Sequence, residues 1–599
     1  MGAACRIAAH LRSRPRLLIF FVSLFIYNAN LRPIAAGDSV PAALFPFAAV
    51  VDHAITFDRY QPYCAANIAP KTYFFRSGRD GHAYSLYPIA LPLLLTPIYA
   101  PFILASGARD WPTERIVSVA LCAEKVAASL IASLSVVLLF GLLRRLVAEP
   151  CALILTVVFA FGTETWMISS QALWQHGASA LALTASLDSL LLATGERRLK
   201  QLALAGLFAG LSVAIRPTNA PFLLSSYAVL LAFARRDARA VLAYTVRPLV
   251  IGALVAGYNH AAFGDLRGGY AIPIAMDHAI EHALKTNVLE GVANLLVSPS
   301  RGLFVYCPVL IFSVFGLFVW CRSRDRLCPP VYLVAAATSV VHLLAFAMWS
   351  LWWGGYTYGP RYFTDLGPCL VLLMAPGMRV VLGRFALRTL FGLALAASIA
   401  VQALGAFCYP NGDWNGLPAP VETHLDRLWD WRDNQIRRTF SAGIVRDPLA
   451  CLRRALTPTQ AELNSRFESR PRRLFQLEGD WTTRSTFEGV VPSTADGLVR
   501  LTASDDDPRV FLPPFDFPEH ARLMLRVDIT APADTVVQVF FATVDEPGYS
   551  ETHSVRAALK KGRNRVSLEL PQLDFAGRLR FDPGTLPGDY TLHSFELRY

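Results

Sequence analysis

Long apolar runs limit what this chain can become more than any other feature of it. About eleven of them recur, at residues 16–35, 116–143, 151–168, 173–194, 200–215, 218–234, 241–260, 303–321, 329–350, 366–382 and 387–408, separated by short polar or basic breaks. Roughly 17 to 25 such residues cross a bilayer as a helix, whose backbone groups satisfy one another where water is absent. The expectation is therefore a polytopic α-helical membrane protein with about 11 transmembrane helices. Composition agrees: 54% of residues are hydrophobic and 17% charged, against roughly 45–50% and 25% in soluble domains.

The first run has a basic flank (Arg6, Arg12, Arg14, Arg16) and continues into Asn28, Asn30, Arg32 and Pro33 without a small-residue cleavage pattern. It reads as a retained anchor rather than a removed signal. Residues 87–105 hold four prolines. Proline removes a donor and kinks a helix, so this stretch is expected as an amphipathic segment lying at the interface. With that segment excluded, one side of the membrane collects the N-terminal arginines, Arg144, Arg145, Arg197, Arg198, Lys200, Arg235, Arg236, Arg239, Arg322, Arg324, Arg326, Arg379, Arg384 and Arg388. The positive-inside rule makes that side, and the N-terminus, cytoplasmic. The net charge of +11 is then topological and gives no indication of nucleic-acid binding.

The opposite face receives the chemically versatile residues. Residues 36–115 bring Asp38, Lys71, Arg76, Asp80 and His82 there. "SSQALWQHG" brings Trp174 and His176, and "RPTN" brings Arg216 and Asn219. Residues 261–302 end in "SPSRG" with Arg301, and "WWGGYTYGPRYFTDLGP" supplies Trp352, Trp353, Tyr356, Tyr358, Arg361 and Asp365. A polar, aromatic-lined cavity at the mouth of a helix bundle is the default site. Structural roles compete for several of these residues. Asp38 can cap a helix beginning at Ser39, tryptophans can form an interfacial belt, and Arg361 can pair with Asp365 one turn later. His176 can be a satisfied core residue. Glu124 and Lys125, inside the second run, are of the costly kind that is usually functional.

The order of "AGDSVPAALFPF", a long outer loop, "YSLYPIALPLLLTPIY", many spans and an outer C-terminal domain resembles the GT-C class of integral-membrane glycosyltransferases. "LWQHG", "AIRPTN", "YNHAAFGDLRGGY", "SPSRGLFVYCPVL" and "WWGGYTYGPRYFTDLGP" are similar to bacterial members of family-39-like, dolichyl-phosphate-mannose type, over roughly residues 1–440. In the aminoarabinose and protein-mannosyl transferases the first-loop aspartate is followed by glutamate, whereas here Ser39 follows Asp38. The departure leaves a divalent metal and the acceptor open. The resemblance implies transfer of a sugar, with inversion, from a polyprenyl-phosphate donor to a glycan, lipid or protein acceptor on the outer face of a bacterial cytoplasmic membrane.

Those residue types suit that chemistry. A carboxylate that takes the proton of an attacking hydroxyl contributes about 10² to 10⁴ in rate, and Asp38 is the candidate base. A leaving prenyl phosphate needs cationic stabilisation, for which arginine's fork is matched. Arg301 and Arg361 lead, followed by Arg216 and Lys71. Sugar faces pack on aromatic rings, supplied by Trp174, Trp352, Trp353, Tyr356 and Tyr358, with His176, Asp365, Asp80 and His82 as polar contacts. A lipid-linked-glycan transporter or flippase is the alternative from another class. It predicts similar halves and midplane charges, whereas here the charges gather at one face. A non-catalytic assembly protein on the same fold is a second alternative.

After Cys408 the character becomes soluble. Residues 409–474 read as a helix-rich connector. From 475 to 599 alternating runs such as "ARLMLRVDITA", "TVVQVFFATV" and "YTLHSFELRY" indicate an extracytoplasmic antiparallel β-sandwich. The ten cysteines show no metal-binding spacing, and Cys64 and Cys451 are the pair placed outside the membrane.

Overall fold

The computed structural model describes residues 14–68, 72–194, 197–234, 237–271, 287–323, 330–477, 481–495, 498–514, 523–543, 548–549, 553–571 and 575–599. The chain divides into two compact units, Met1–Leu456 and Thr457–Tyr599. The first is helical and the second is built mainly of strands.

In the helical unit, five helices are long and apolar enough to cross a membrane: Thr113–Leu143, Arg198–Ile215, Ala238–Phe263, Pro330–Ala347 and Phe385–Cys408. Helix also occupies the other apolar runs, but in shorter pieces. Proline explains two of the interruptions, because it cannot donate to the preceding turn. Pro308 opens a 3₁₀ turn between Leu303–Tyr306 and Ile311–Arg322, and Pro376 lies in another between Gly367–Met374 and Met378–Gly383. Glu149–Phe161 stops at Gly162. At ~1.5 Å per residue it reaches about 20 Å, less than a ~30 Å hydrocarbon core.

Residues Ala90–Ala105 form one helix despite Pro97 and Pro101. Leu91, Leu95, Tyr99 and Ile103 are buried, while Leu93, Leu94, Ile98 and Phe102 are exposed. Its outward face is therefore apolar, which differs from the amphipathic pattern expected of an interfacial segment. The helix Ala238–Phe263 starts under a side-chain cap from Asp237 and ends at Gly264 in the left-handed region, both ordinary terminators. It packs closely on Arg198–Ile215: a Cβ at Gly206 would lie 1.9 Å from the Tyr244 carbonyl oxygen. Its other side exposes Leu242, Leu249 and Leu254, the surface expected where lipid is the solvent.

Residues 409–456, read from sequence as connector, belong to the helical unit. Trp414, Leu428 and Gln435 are buried in it. Cys64 is a buried free thiol rather than a partner of Cys451, whose thiol is hydrogen-bonded with Cys122.

The second unit opens with the helix Gln460–Glu468, started by a Thr459–Glu462 capping box. Two antiparallel sheets follow. One runs in the order Ser554–Leu559, Thr535–Thr543, Phe575–Asp582, Arg509–Phe511 and Thr486–Glu488. The other runs Gly562–Glu569, Met524–Ala531, Gly588–Arg598, Leu498–Ala503 and Val490–Ala495, with Arg473–Gln476 added on Gly588–Arg598. Alternate residues of the strands turn inward. Val537, Val539, Phe541 and Phe581 from one sheet share a core with Val527, Ile529 and Phe595 from the other.

Candidate functional site

Asp38 sits on the single turn Gly37–Ser39 that leads into the helix Val40–Val51. It does not cap that helix, whose N-terminus has no side-chain cap bond. Its Oδ2 accepts a 2.9 Å hydrogen bond from Nη1 of Arg361, and its Oδ1 a 2.8 Å bond from the Tyr73 hydroxyl. The Tyr87 hydroxyl is a third partner. Burial alone would raise the Asp38 pKa, but Arg361 and the two phenols outweigh it and hold the carboxyl below its usual value of about 3.9. Asp38 and Arg361 each keep 19% of their side-chain surface exposed, so a ligand can reach the pair.

Arg361 follows a loop in which Gly354, Gly355 and Gly359 all have positive φ, a conformation that favours glycine. Its guanidinium lies 5.3 Å from the Trp174 ring and 5.7 Å from the Tyr362 ring, close enough for cation–π attraction. Its Nε is buried and makes no hydrogen bond. Part of the fork is thus committed to Asp38, and Nε is left without an acceptor.

Arg301 is different, and its expected phosphate contact is corrected here. Its Nε donates to the Trp353 carbonyl oxygen, Nη1 to Ser300 O and Gln435 Oε1, and Nη2 to Gly355 O and Asn415 Oδ1. Those bonds use all five donors of a guanidinium, and the side chain is 1% exposed. Arg301 anchors the glycine loop instead. Arg301→Ala would leave several buried carbonyl and amide oxygens unpaired and should destabilise the protein by about 3 kcal/mol or more, read as a lowered melting temperature in detergent. A variant melting within ~2 °C of the parent would defeat the anchor role.

Asp365 pairs with residues other than Arg361. It is fully buried, forms an ion pair with Arg216 at 2.8 Å, and hydrogen-bonds His176 Nδ1 at 2.9 Å and the Ser179 hydroxyl. Asp365 and His176, expected as sugar contacts, thus form an internal junction, and Asp365 answers the charge of Arg216. The aromatic expectations divide as well. Trp352, Trp353 and Tyr358 turn inward, Tyr358 donating to the Val401 carbonyl oxygen, so they are packing residues rather than a sugar platform. Tyr356 remains exposed. Trp174 is buried beneath Arg361, with its indole N–H on the Ile34 carbonyl oxygen. Asp80 and His82 occupy an outer hairpin, Phe75–Ser77 with Ala83–Ser85. There they bond Tyr84 and Asp58 and are not joined to Asp38. Lys71 lies outside the described residues.

Several members of the cluster were not singled out in the sequence. Tyr73 and Tyr87 bond Asp38, and the Tyr270 ring stands edge-on to Tyr87 at 6.4 Å. Glu124, singled out in the sequence for its place inside an apolar run, accepts from the Leu173 backbone N–H at 3.0 Å, just before Trp174. Tyr87 and Tyr270 also line a cavity of about 480 Å³ between Arg198–Ile215 and Ala238–Phe263. Its walls include Val213, Pro248, Ile251 and Val255. Among the described residues no group of three or more His, Cys, Asp or Glu is arranged to hold a metal ion.

No protein-family model matches this sequence, and no curated protein matches it. Among solved structures, the chain is similar to the BiXyn10A CBM1 module in its apo form, with 8% identity and a TM-score of 0.18, covering 21% of this chain and 99% of that one. It is also similar to mutants of CBM29-2, a family 29 carbohydrate-binding module. One of these shows 13% identity and a TM-score of 0.16, over 19% of this chain and 79% of that one. Another, complexed with cellulohexaose, shows 14% and 0.16, over 19% and 78%.

Proposed function

We propose that this protein is a GT-C-like membrane glycosyltransferase that moves a sugar, with inversion, from a polyprenyl-phosphate donor to a glycan, lipid or protein acceptor. The observation that carries the reading is the accessible Asp38–Arg361 pair, joined through Tyr87 to an apolar groove between two membrane-length helices. A ligand with a long apolar chain and a phosphate head needs both environments at once. The acceptor hydroxyl gives its proton to Asp38 as its oxygen bonds the anomeric carbon. The bond from that carbon to the phosphate oxygen breaks, and the electron pair leaves with the prenyl phosphate. Arg361 meets the developing charge with the donors that Asp38 does not occupy. As the phosphate draws on the fork, the interaction that depresses Asp38 weakens and the base becomes stronger when it is needed.

The finer architecture belongs to the same proposal. The chain crosses the bacterial cytoplasmic membrane about eleven times, with the N-terminus in the cytoplasm where the arginine-rich loops gather. Asp38, Arg361 and a C-terminal β-sandwich then lie on the extracytoplasmic side. In a background lacking the exposed Cys321, a cysteine at the exposed position Thr423 should react with a membrane-impermeant thiol reagent in intact cells. One at the exposed position Ser323 should not. Labelling at Ser323 alone would reverse the orientation.

The function itself is tested with purified protein and a radiolabelled polyprenyl-phosphate hexose. Release of prenyl phosphate with transfer of the sugar supports the reading. Movement of the intact lipid across vesicles without transfer, or neither result, overturns it.

A further inference from the structure

The second unit carries a cleft of its own, about 250 Å³, on the outward face of the sheet that contains Thr535–Thr543 and Phe575–Asp582. The register sets two cross-strand pairs side by side on its floor: Gln538 opposite Asp582 and Phe540 opposite Arg580. Their neighbours Val537, Val539, Phe541 and Phe581 point the other way, into the core, so the polar floor follows from strand alternation. Arg580 lies 4.4 Å from the Phe540 ring, its Nε donates to Asp582 at 2.8 Å, and its Nη2 donates to Asp507 at 3.2 Å. Arg509 also bonds Asp507, and Tyr549 completes one wall. Asp582 and Arg580 are only 9% and 14% exposed, so they form a recessed, fixed array rather than loose surface charges.

The chemistry of this array excludes several ligand classes. Asp506, Asp507 and Asp582 face two arginines, leaving no cationic surplus for a phosphate or sulfate. Among the described residues no acidic group is arranged to hold a metal ion. What the cleft offers is alternating acceptors and donors, held in place by one another, beside the partly exposed ring of Tyr549. A sugar hydroxyl both donates and accepts, vicinal hydroxyls can span a carboxylate and its guanidinium or amide neighbour, and the C–H face of the ring packs on an aromatic side chain. We infer that this cleft is a binding site for a neutral carbohydrate, separate from the Asp38 site and independent of the reaction proposed there.

The test uses the full-length protein in lipid nanodiscs and calorimetric titration with maltohexaose, cellohexaose and mannohexaose, with an oligogalacturonate as the anionic probe. At least one neutral hexasaccharide should bind saturably below about 5 mM. Gln538→Ala and Tyr549→Ala, both at partly exposed positions, should each weaken that binding about tenfold or more without lowering the melting temperature. Asp38→Asn should leave it unchanged. The inference is overturned if none of the three neutral sugars binds, if binding survives both cleft variants, or if the oligogalacturonate is preferred.

Discussion

Asp38→Asn should insert and fold normally, bind the polyprenyl-phosphate donor at least as well as the parent, and transfer sugar about 10²-fold more slowly or worse. The substitution keeps the volume and one oxygen but removes the proton acceptor. Asparagine caps helices about as well as aspartate, yet no cap bond is lost here, because the carboxylate is spent on Arg361, Tyr73 and Tyr87. Donor affinity should not fall, since the variant relieves Arg361 of its charged partner and leaves more of the fork for phosphate. Measuring donor affinity and transfer on one purified sample separates binding from chemistry. Transfer within about threefold of the parent would remove Asp38 from the role of base.

The contrast between Arg301 and Arg361 shows what a sequence conveys about such a site. Both arginines border glycine or proline in loops, and both carry the fork that suits phosphate. Composition and spacing rank them equally. They differ in their acceptors: Arg301 is enclosed by oxygens from Ser300, Trp353, Gly355, Asn415 and Gln435. Two of these come from residues more than 100 positions away, in a stretch read as connector. Long-range satisfaction of this kind leaves no local pattern. The same holds for Trp352, Trp353 and Tyr358, whose inward turn depends on the glycine loop that Arg301 anchors. Apolar runs were legible because a helix needs only local sequence, but the breaks at Pro308 and Pro376 were not read from it, and the prolines that were read, Pro97 and Pro101, lie inside a continuous helix. The strands of the second unit were legible through alternation. Tyr73 and Tyr87 were not, since tyrosines in an outer loop look like interfacial residues until the fold brings them to Asp38.

Replacing Arg361 should have the other large effect, and its pH dependence identifies the cause. Arg361→Gln should weaken donor binding about 10²-fold, and Arg361→Lys should recover only part of it, because an ammonium is a point charge where the guanidinium is a planar fork. In the parent, burial tends to raise the Asp38 pKa, and the Arg361 charge together with the hydrogen bonds from Arg361, Tyr87 and Tyr73 more than offsets it. A depressed carboxyl contributes stability that is present above its unfolded value of about 3.9 and lost as pH falls through the lower folded value. In the glutamine variant burial is opposed only by the two phenols, so the Asp38 carboxyl titrates higher than in the parent. The acid limb of kcat/KM should therefore move toward neutral pH, while the Arg361→Lys limb stays closer to the parent's. A loss of affinity with an unmoved acid limb would mean that Arg361 binds donor without governing the base. Parental affinity together with a parental limb would place the phosphate contact elsewhere.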